Sequence, residues 1–307
     1  MNPDKYTIQE LYLDVSDGQK LYVQEWGNPK AKTPILIIHG GPGNGVDDRD
    51  KKDFDPKIHR VIFYDQRCSG NSTPLNDTVN NTTPKLVEDI EAILEKLNVN
   101  ECVIIGGSWG STLALAYALE HPKRIKTLVI NGVFTGSKSE ADWIIKGGWK
   151  VFYPEIWQNY ASTVPEEFRN DPSSFHLNEL DSGDLERIKK SAYAFESMEL
   201  ALLKLDEIYR PSPFETYEPK AILVEMNYDK NNFYFPENHI LNNAHKLQMP
   251  VHLIQGRFDM VTPPKAAYEL SKIIPNCKLN MTINGHLRQH ESLSVQSLIL
   301  DQILGEE

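Results

Sequence analysis

The stretch VIIGGSWGST, residues 103–112, predicts a strand, a sharp turn and a helix in direct succession. Three β-branched residues precede the glycines, and residues 112–120 favour a helix. Ser108 has a glycine two positions before it and another two positions after it, which is the G-x-S-x-G pattern of a strained strand-to-helix turn. Such a serine stands at a helix N-terminus, where backbone N–H groups favour negative charge. The pattern indicates a nucleophile; the alternative is a glycine-rich turn that happens to contain serine.

The segments on either side of this stretch alternate between strand-like and helix-like patterns. The apolar runs ILIIH, VIFYD and CVIIG are typical of parallel strands that are covered on both faces. We therefore expect an α/β fold with a mostly parallel sheet, formed by residues 1–135 and 245–307. Residues 136–244 are rich in aromatics and prolines and mostly helical in pattern, so we expect an inserted helical cap. Predicted strands are 11–15, 21–25, 34–39, 60–64, 127–131, 251–256 and 278–283, and predicted helices are 83–97, 111–119, 264–273 and 291–304.

The composition of the chain argues against several classes of binding partner. The chain has 307 residues and a formal net charge of −11, which argues against nucleic acid or an anionic membrane surface as the main partner. No apolar run reaches the length of a membrane span, and no secretory signal is visible, so we expect a cytoplasmic protein. The three cysteines have no metal-ligand spacing, and no metal site is expected.

A serine nucleophile needs a histidine base and an acid that orients the base, and on this turn they follow in the order Ser, acid, His. Asp259 follows the predicted strand VHLIQG, and His286 follows the predicted strand KLNMTI. These positions make them the predicted acid and base. The competing residues are His290, at a predicted helix start, and Asp65 and Asp229 for the acid.

Two backbone donors are also needed for the oxyanion that forms during acyl transfer. The N–H of Trp109, directly after the serine, is the first candidate. The second is the N–H of Gly41 in the loop HGGPG, residues 39–43, which follows the predicted strand ILII. Consecutive glycines let backbone N–H groups turn toward a site without a side chain in the way.

Several motifs together resemble the proline iminopeptidases (prolyl aminopeptidases), serine peptidases of the α/β-hydrolase superfamily. They are HGGPG at 39–43, DQRCSG at 65–70, GGSWGSTLALAYALEHP at 106–122, GRFDMVTPP at 256–264 and the late pair Gly285-His286. The resemblance implies an α/β-hydrolase core with a helical cap. It also implies release of an N-terminal residue, preferentially proline, from small peptides with a free N-terminus, without a metal or organic cofactor. The oligomeric state stays open, a monomer included.

The resemblance extends to two glutamates of the predicted cap. Glu199 and Glu225 fall where the family places carboxylates that hold the α-amino group of the substrate. The chemistry suits this role, since a protonated N-terminal proline has two N–H donors and each carboxylate can accept one. Glu199 also lies in an otherwise apolar stripe, where a carboxylate is costly unless paired. The alternative is that both are solvated helix residues.

The chain departs from the family pattern at four positions: Cys68, Asn71, Met198 and Leu287. These departures leave the strictness for proline open, and three other functions stay open at this point. One is an aminopeptidase of broader specificity, another is a carboxylesterase on the same core, and the third is a non-catalytic binding protein.

Overall fold

One mixed sheet forms the centre of the molecule. The computed structural model describes residues 3–75 and 78–305, and within them eight strands pair in the order β1-β2-β4-β3-β5-β6-β7-β8. Strand β2 is antiparallel to β1 and β4, and the other neighbours are parallel. This confirms the predicted mostly parallel α/β sheet. The strands are β1 Thr7–Asp14, β2 Lys20–Gly27, β3 Ile35–Ile38, β4 Arg60–Tyr64, β5 Cys102–Ser108, β6 Ile125–Val133, β7 Val251–Gly256 and β8 Cys277–Thr282.

Helices cover both faces of this sheet. The side chains of β3 show why its sequence is apolar throughout: Leu36 and Ile38 pack into the core on one face, and Ile35 and Ile37 into the core on the other. The helices that contribute to the first core include α1 Thr83–Lys96, α2 Trp109–Glu120, α8 His239–Asn243 and α9 Pro264–Ile273. Helix α10, His290–Leu304, covers the second.

The segment between β6 and β7 is helical. Residues 136–244, all of which the structure describes, contain no strand. They hold α8 and five further helices: α3 Lys138–Ile145, α4 Pro154–Ala161, α5 Pro172–Glu179, α6 Leu185–Ala201 and α7 Ala221–Lys230. A third cluster of buried side chains, with Trp149, Phe195 and Met226 among its members, lies here. The division into core and cap at residues 136–244 stays a prediction, and "cap" below means this segment.

Among the element boundaries that differ from the sequence-based prediction, two have a clear physical cause. Strand β1 begins at Thr7, four residues before the predicted start, and none of its side chains is fully buried. It is an edge strand that pairs through its backbone with β2 alone, so it has little apolar signal. Helix α2 begins at Trp109, two residues earlier than predicted, because the turn consists of Ser108 alone.

Two glycines allow the strand, the turn and the helix to touch. A Cβ atom on Gly106 of β5 would lie 2.3 Å from the carbonyl oxygen of Gly110. A Cβ atom on Gly110 of α2 would lie 2.1 Å from the carbonyl oxygen of Ile38 in β3. Since no side chain fits at these distances, both positions require glycine.

We expect Gly110→Ala to lower the free energy of unfolding by about 1–3 kcal/mol or more, because the new methyl group must displace the backbone of β3. Urea denaturation measures the change. Gly107→Ala is the matched control, since its Cβ would have its nearest neighbour at 3.8 Å and the backbone has no positive φ. Equal losses in the two variants would contradict this account of the turn.

Candidate active site

Ser108 occupies the tip of the turn in a strained conformation. Its φ of 56° and ψ of −127° are unusual for a residue with a side chain. The Ser111 hydroxyl donates a hydrogen bond of 2.6 Å to the Ser108 carbonyl, and it accepts one of 2.8 Å from the backbone N–H of Phe134. These contacts and the glycine packing hold the serine in place.

The residue predicted as the base, His286, lies within hydrogen-bond distance of both the predicted nucleophile and the predicted acid. Ser108 Oγ lies 3.0 Å from Nε2 of His286, and Nδ1 of His286 lies 2.9 Å from Oδ2 of Asp259. An ionised Asp259 accepts from Nδ1–H, so Nε2 is left to accept the serine proton. The His286 side chain is 8% exposed and that of Asp259 is 0% exposed, so little water competes for these bonds.

Further donors fix the Asp259 carboxylate. Oδ1 accepts hydrogen bonds from the backbone N–H groups of Val261 (3.0 Å) and Thr262 (2.8 Å). Oδ2 accepts from the Gln255 side chain (3.1 Å) and from the Thr262 hydroxyl (2.9 Å). Sequence reasoning missed Gln255 and Thr262, although both flank the strand end that made Asp259 the predicted acid.

The environment of His286 favours its protonated form. Burial lowers the pKa of the ring, but the charge of Asp259, the hydrogen bond to it and the charge of Glu199 outweigh burial, so the net pKa is raised. The neutral ring is the form that can accept a proton. Because the pKa is raised, His286 loses this form at a higher pH than a free histidine does when the pH is lowered.

The candidate oxyanion donors come from two neighbouring elements. Trp109 is the first residue of α2, so its N–H has no partner within the helix. The loop 39–43 lies against the serine, since a Cβ on Gly40 would be 3.3 Å from Cβ of Ser108. Gly41 has a φ of 108°, which favours glycine, and it lines the same cavity as Ser108. The roles of Trp109 and Gly41 stay predictions.

A cavity of about 590 Å³ brings the two predicted cap glutamates to Ser108 and His286. Glu199 of α6 and Glu225 of α7 both line it. Sequence reasoning missed a third lining glutamate, Glu196, which lies one turn before Glu199. The i, i+3 spacing on one helix face was the available signal. Apolar side chains also line this cavity, among them Leu200, Leu203, Ile222 and Leu287.

The cap carboxylates repel one another. Burial, the charge of Glu199 and a hydrogen bond with Glu199 raise the pKa of Glu225 well above its ordinary value. Burial and the charge of Glu199 also raise the pKa of Glu196, although the Tyr217 hydroxyl donates a hydrogen bond to it and opposes the shift. A cation in the cavity would relieve this repulsion.

Comparison with known proteins places the chain in a family. The model of the alpha/beta hydrolase fold matches residues 33–292. A proline iminopeptidase of Arabidopsis thaliana is 34% identical over 298 residues, which is 94% of this chain and 78% of the relative. One of Neisseria meningitidis is 37% identical over 286 residues, which is 92% of this chain and 91% of the relative. The chain belongs to the proline iminopeptidase family.

The fold has a wider distribution than the family. The solved structure of a thermophilic esterase from Thermogutta terrifontis matches 97% of this chain and 98% of its own with a TM-score of 0.65, at 18% identity. That likeness concerns the fold alone. The proline iminopeptidase family is therefore identified by sequence identity and not by the shape of the sheet.

Of the four departures from the proline iminopeptidase pattern, only Leu287 is among the residues that line the cavity. Cys68 is buried in the core. Met198 is buried in the third cluster of side chains and lines a second cavity of about 880 Å³ within the cap. Asn71 donates to Asp65. These positions leave most of the cavity wall unaltered by the departures.

Two kinds of feature are absent from the described residues, 3–75 and 78–305. No group of three or more His, Cys, Asp or Glu side chains is placed to hold a metal ion there. None of the helices in that part of the chain has the length and apolar character that a membrane span requires.

We expect Glu199→Gln to lower the pKa of His286, because it removes one of the charges that raise it. The neutral ring then persists to lower pH, while its hydrogen bond to Asp259 remains. NMR titration of the His286 ring measures the shift. Glu186→Gln is the control, since Glu186 lies on the same helix and is 60% exposed. An unchanged pKa in Glu199→Gln would contradict the assigned cause.

Proposed function

We propose that this member of the proline iminopeptidase family is a serine aminopeptidase that releases an N-terminal residue, preferentially proline, from small peptides. One observation carries the proposal: Glu199 and Glu225 line the same cavity as the hydrogen-bonded pair Ser108 and His286. An amine-binding group therefore lies beside a nucleophile. The names of the relatives, proline iminopeptidases, support the same activity.

In the acylation half of the proposed mechanism, Ser108 Oγ attacks the carbonyl carbon of the N-terminal residue while Nε2 of His286 takes its proton. Asp259 holds the ring and stabilises the imidazolium. The N–H groups of Trp109 and Gly41 stabilise the oxyanion. His286 then gives the proton to the leaving amine nitrogen as the C–N bond breaks, and the shortened peptide departs.

Deacylation uses the same groups in reverse roles. A water molecule gives its proton to His286 as its oxygen attacks the acyl-enzyme carbonyl. The second oxyanion collapses, the bond to Ser108 Oγ breaks, and the proton on His286 returns to that oxygen. The free N-terminal amino acid leaves, and every group regains its initial state.

The cap carboxylates select a free N-terminus in this proposal. With the cavity empty, the raised pKa of Glu225 favours a proton between Glu225 and Glu199. A substrate ammonium supplies positive charge in its place, so both carboxylates can accept its N–H groups. The apolar side chains of Leu200 and Ile222 suit a proline ring. A broader choice of N-terminal residue is the alternative, and a panel of aminoacyl amides distinguishes the two.

We also propose a cytoplasmic location and small peptides as substrates. The free thiols of Cys102 and Cys277 fit a reducing compartment.

Ser108→Ala should fold normally and lose hydrolysis of prolyl amides, because the attacking oxygen is gone. Turnover of a chromogenic prolyl amide measures the loss, and thermal denaturation checks the fold. Substantial residual turnover by the purified variant would refute the assignment of the nucleophile.

Glu199→Gln and Glu225→Gln should each lower kcat/KM for a prolyl amide by about 10- to 100-fold, since each removes a hydrogen bond to a charged amine. Hydrolysis of a short-chain ester without an amine should change little. Glu186→Gln, an exposed change on α6, is the control. Equal losses on amide and ester would count against amine recognition and favour the carboxylesterase alternative.

A further inference from the structure

The motif DQRCSG, residues 65–70, takes no part in the mechanism above, yet it lies directly behind the oxyanion donors. Its second residue, Gln66, follows β4 and is 1% exposed. Three of its hydrogen bonds reach Trp109, which carries the first donor, and His39, which begins the loop that carries the second. Because the oxygen and the nitrogen of this buried side chain are both hydrogen-bonded, the side chain restricts the positions of the residues that it contacts.

The first contact reaches the Trp109 side chain. The indole Nε1–H of Trp109 donates a 2.9 Å hydrogen bond to Oε1 of Gln66. The indole is 1% exposed and packs edge-on against Tyr228, with ring centroids 4.8 Å apart. Because the backbone N–H of the same tryptophan is the first proposed donor, anchoring the indole fixes the residue that presents it.

The other two contacts reach His39, at the start of the glycine loop. The Gln66 side-chain amide donates to the His39 carbonyl at 2.8 Å, and the Gln66 backbone N–H donates to Nε2 of His39 at 3.0 Å. Burial lowers the pKa of His39, which favours a neutral ring that accepts at Nε2. Nδ1–H is then the donor to the Gly40 carbonyl, 2.9 Å away.

The direction of the second donor follows from this last bond. The Gly40 carbonyl and the Gly41 N–H belong to one peptide group, which is trans. In a trans peptide group the C=O and the N–H point in opposite directions. Holding the carbonyl against the His39 ring therefore aims the Gly41 N–H to the opposite side.

We propose that Gln66 is a positioning residue that holds both oxyanion donors, Trp109 N–H directly and Gly41 N–H through His39, in one fixed arrangement. The proposal rests on the acyl-transfer chemistry of the proposed function and not on the preference for proline. It gives the DQRCSG motif a role in catalysis without contact with substrate.

Gln66→Met tests the proposal, because methionine has a similar size and lacks both polar groups. We expect kcat to fall by about 10- to 100-fold on a prolyl amide and on a short-chain ester alike, less than the complete loss of one donor produces. KM should stay within about twofold, since ground-state binding does not depend on the oxyanion donors. Affinity for a boronic acid, which forms an anionic tetrahedral adduct with the serine, should fall with kcat, while affinity for free proline should not.

Ser173→Ala is the matched control. Ser173 is 0% exposed and hydrogen-bonds the Ile145 carbonyl at 2.8 Å and the Tyr160 hydroxyl at 3.0 Å, within the cap and outside the cavity that Ser108 lines. It should lose thermal stability with kcat unchanged. If Gln66→Met likewise loses only thermal stability, and kcat and the affinity for the boronic acid are unchanged, the proposal is overturned.

Two further variants test the contacts with His39 and with Trp109 separately. Gln66→Glu keeps the acceptor for the Trp109 indole but loses the donor to the His39 carbonyl, so we expect part of the kcat loss. Trp109→Phe removes the indole donor, and combining it with Gln66→Met should cost less than the product of the two single losses. Strictly multiplicative losses would show that Gln66 does not act through Trp109.

The ester separates this proposal from the proposed function. If prolyl amides prove poor substrates while the ester is hydrolysed, the preference for an N-terminal residue fails and Gln66→Met still decides the role of Gln66 on the ester. If prolyl amides are cleaved well and Gln66→Met leaves kcat unchanged, the positioning role alone fails.

Discussion

The site depends on the contact between the N-terminus of α2 and the end of β3. Gly110 lies so close to the carbonyls of Ile38 and His39 that a Cβ would come within 2.1 and 2.8 Å of their oxygens. This contact leaves no room for a gradual turn, so Ser108 takes a strained conformation between β5 and α2. It also places Trp109 beside the loop that continues from β3. Ser108, the predicted nucleophile, and both candidate oxyanion donors thus share one junction.

Electrostatics sets the second constraint. Glu199 acts on both sides of the cavity, since its charge raises the pKa of Glu225 and also that of His286. Buried carboxylates that face one another are costly without a cation. Under the proposed function the substrate ammonium offsets this cost. A substrate with a blocked N-terminus therefore lacks two hydrogen bonds and also leaves the repulsion between the carboxylates uncompensated.

The sequence predicted the residues that follow sheet strands, because each carries a local signal. Ser108 lies in a glycine pattern, and Asp259 and His286 follow apolar runs. The partners that orient them could not be predicted, because they depend on packing between distant segments. One example is the side-chain hydrogen bond between Gln66, just after β4, and Trp109, at the start of α2. Glu196 shows a different limit: its spacing was visible, but only the folded cap shows which helix face meets the cavity.

Backbone hydrogen bonds connect the cap to the loop that carries His286, the predicted base. The carbonyl of Leu203, just after α6, accepts hydrogen bonds from the backbone N–H groups of His286 (3.0 Å) and Leu287 (3.1 Å). Glu199, one turn earlier, is therefore tied to the loop that carries the base. A cap that swung freely would let the amine lie at variable distances from Ser108. A cap bonded to the histidine loop holds that distance, and under the proposed function it confines cleavage to the bond after the N-terminal residue.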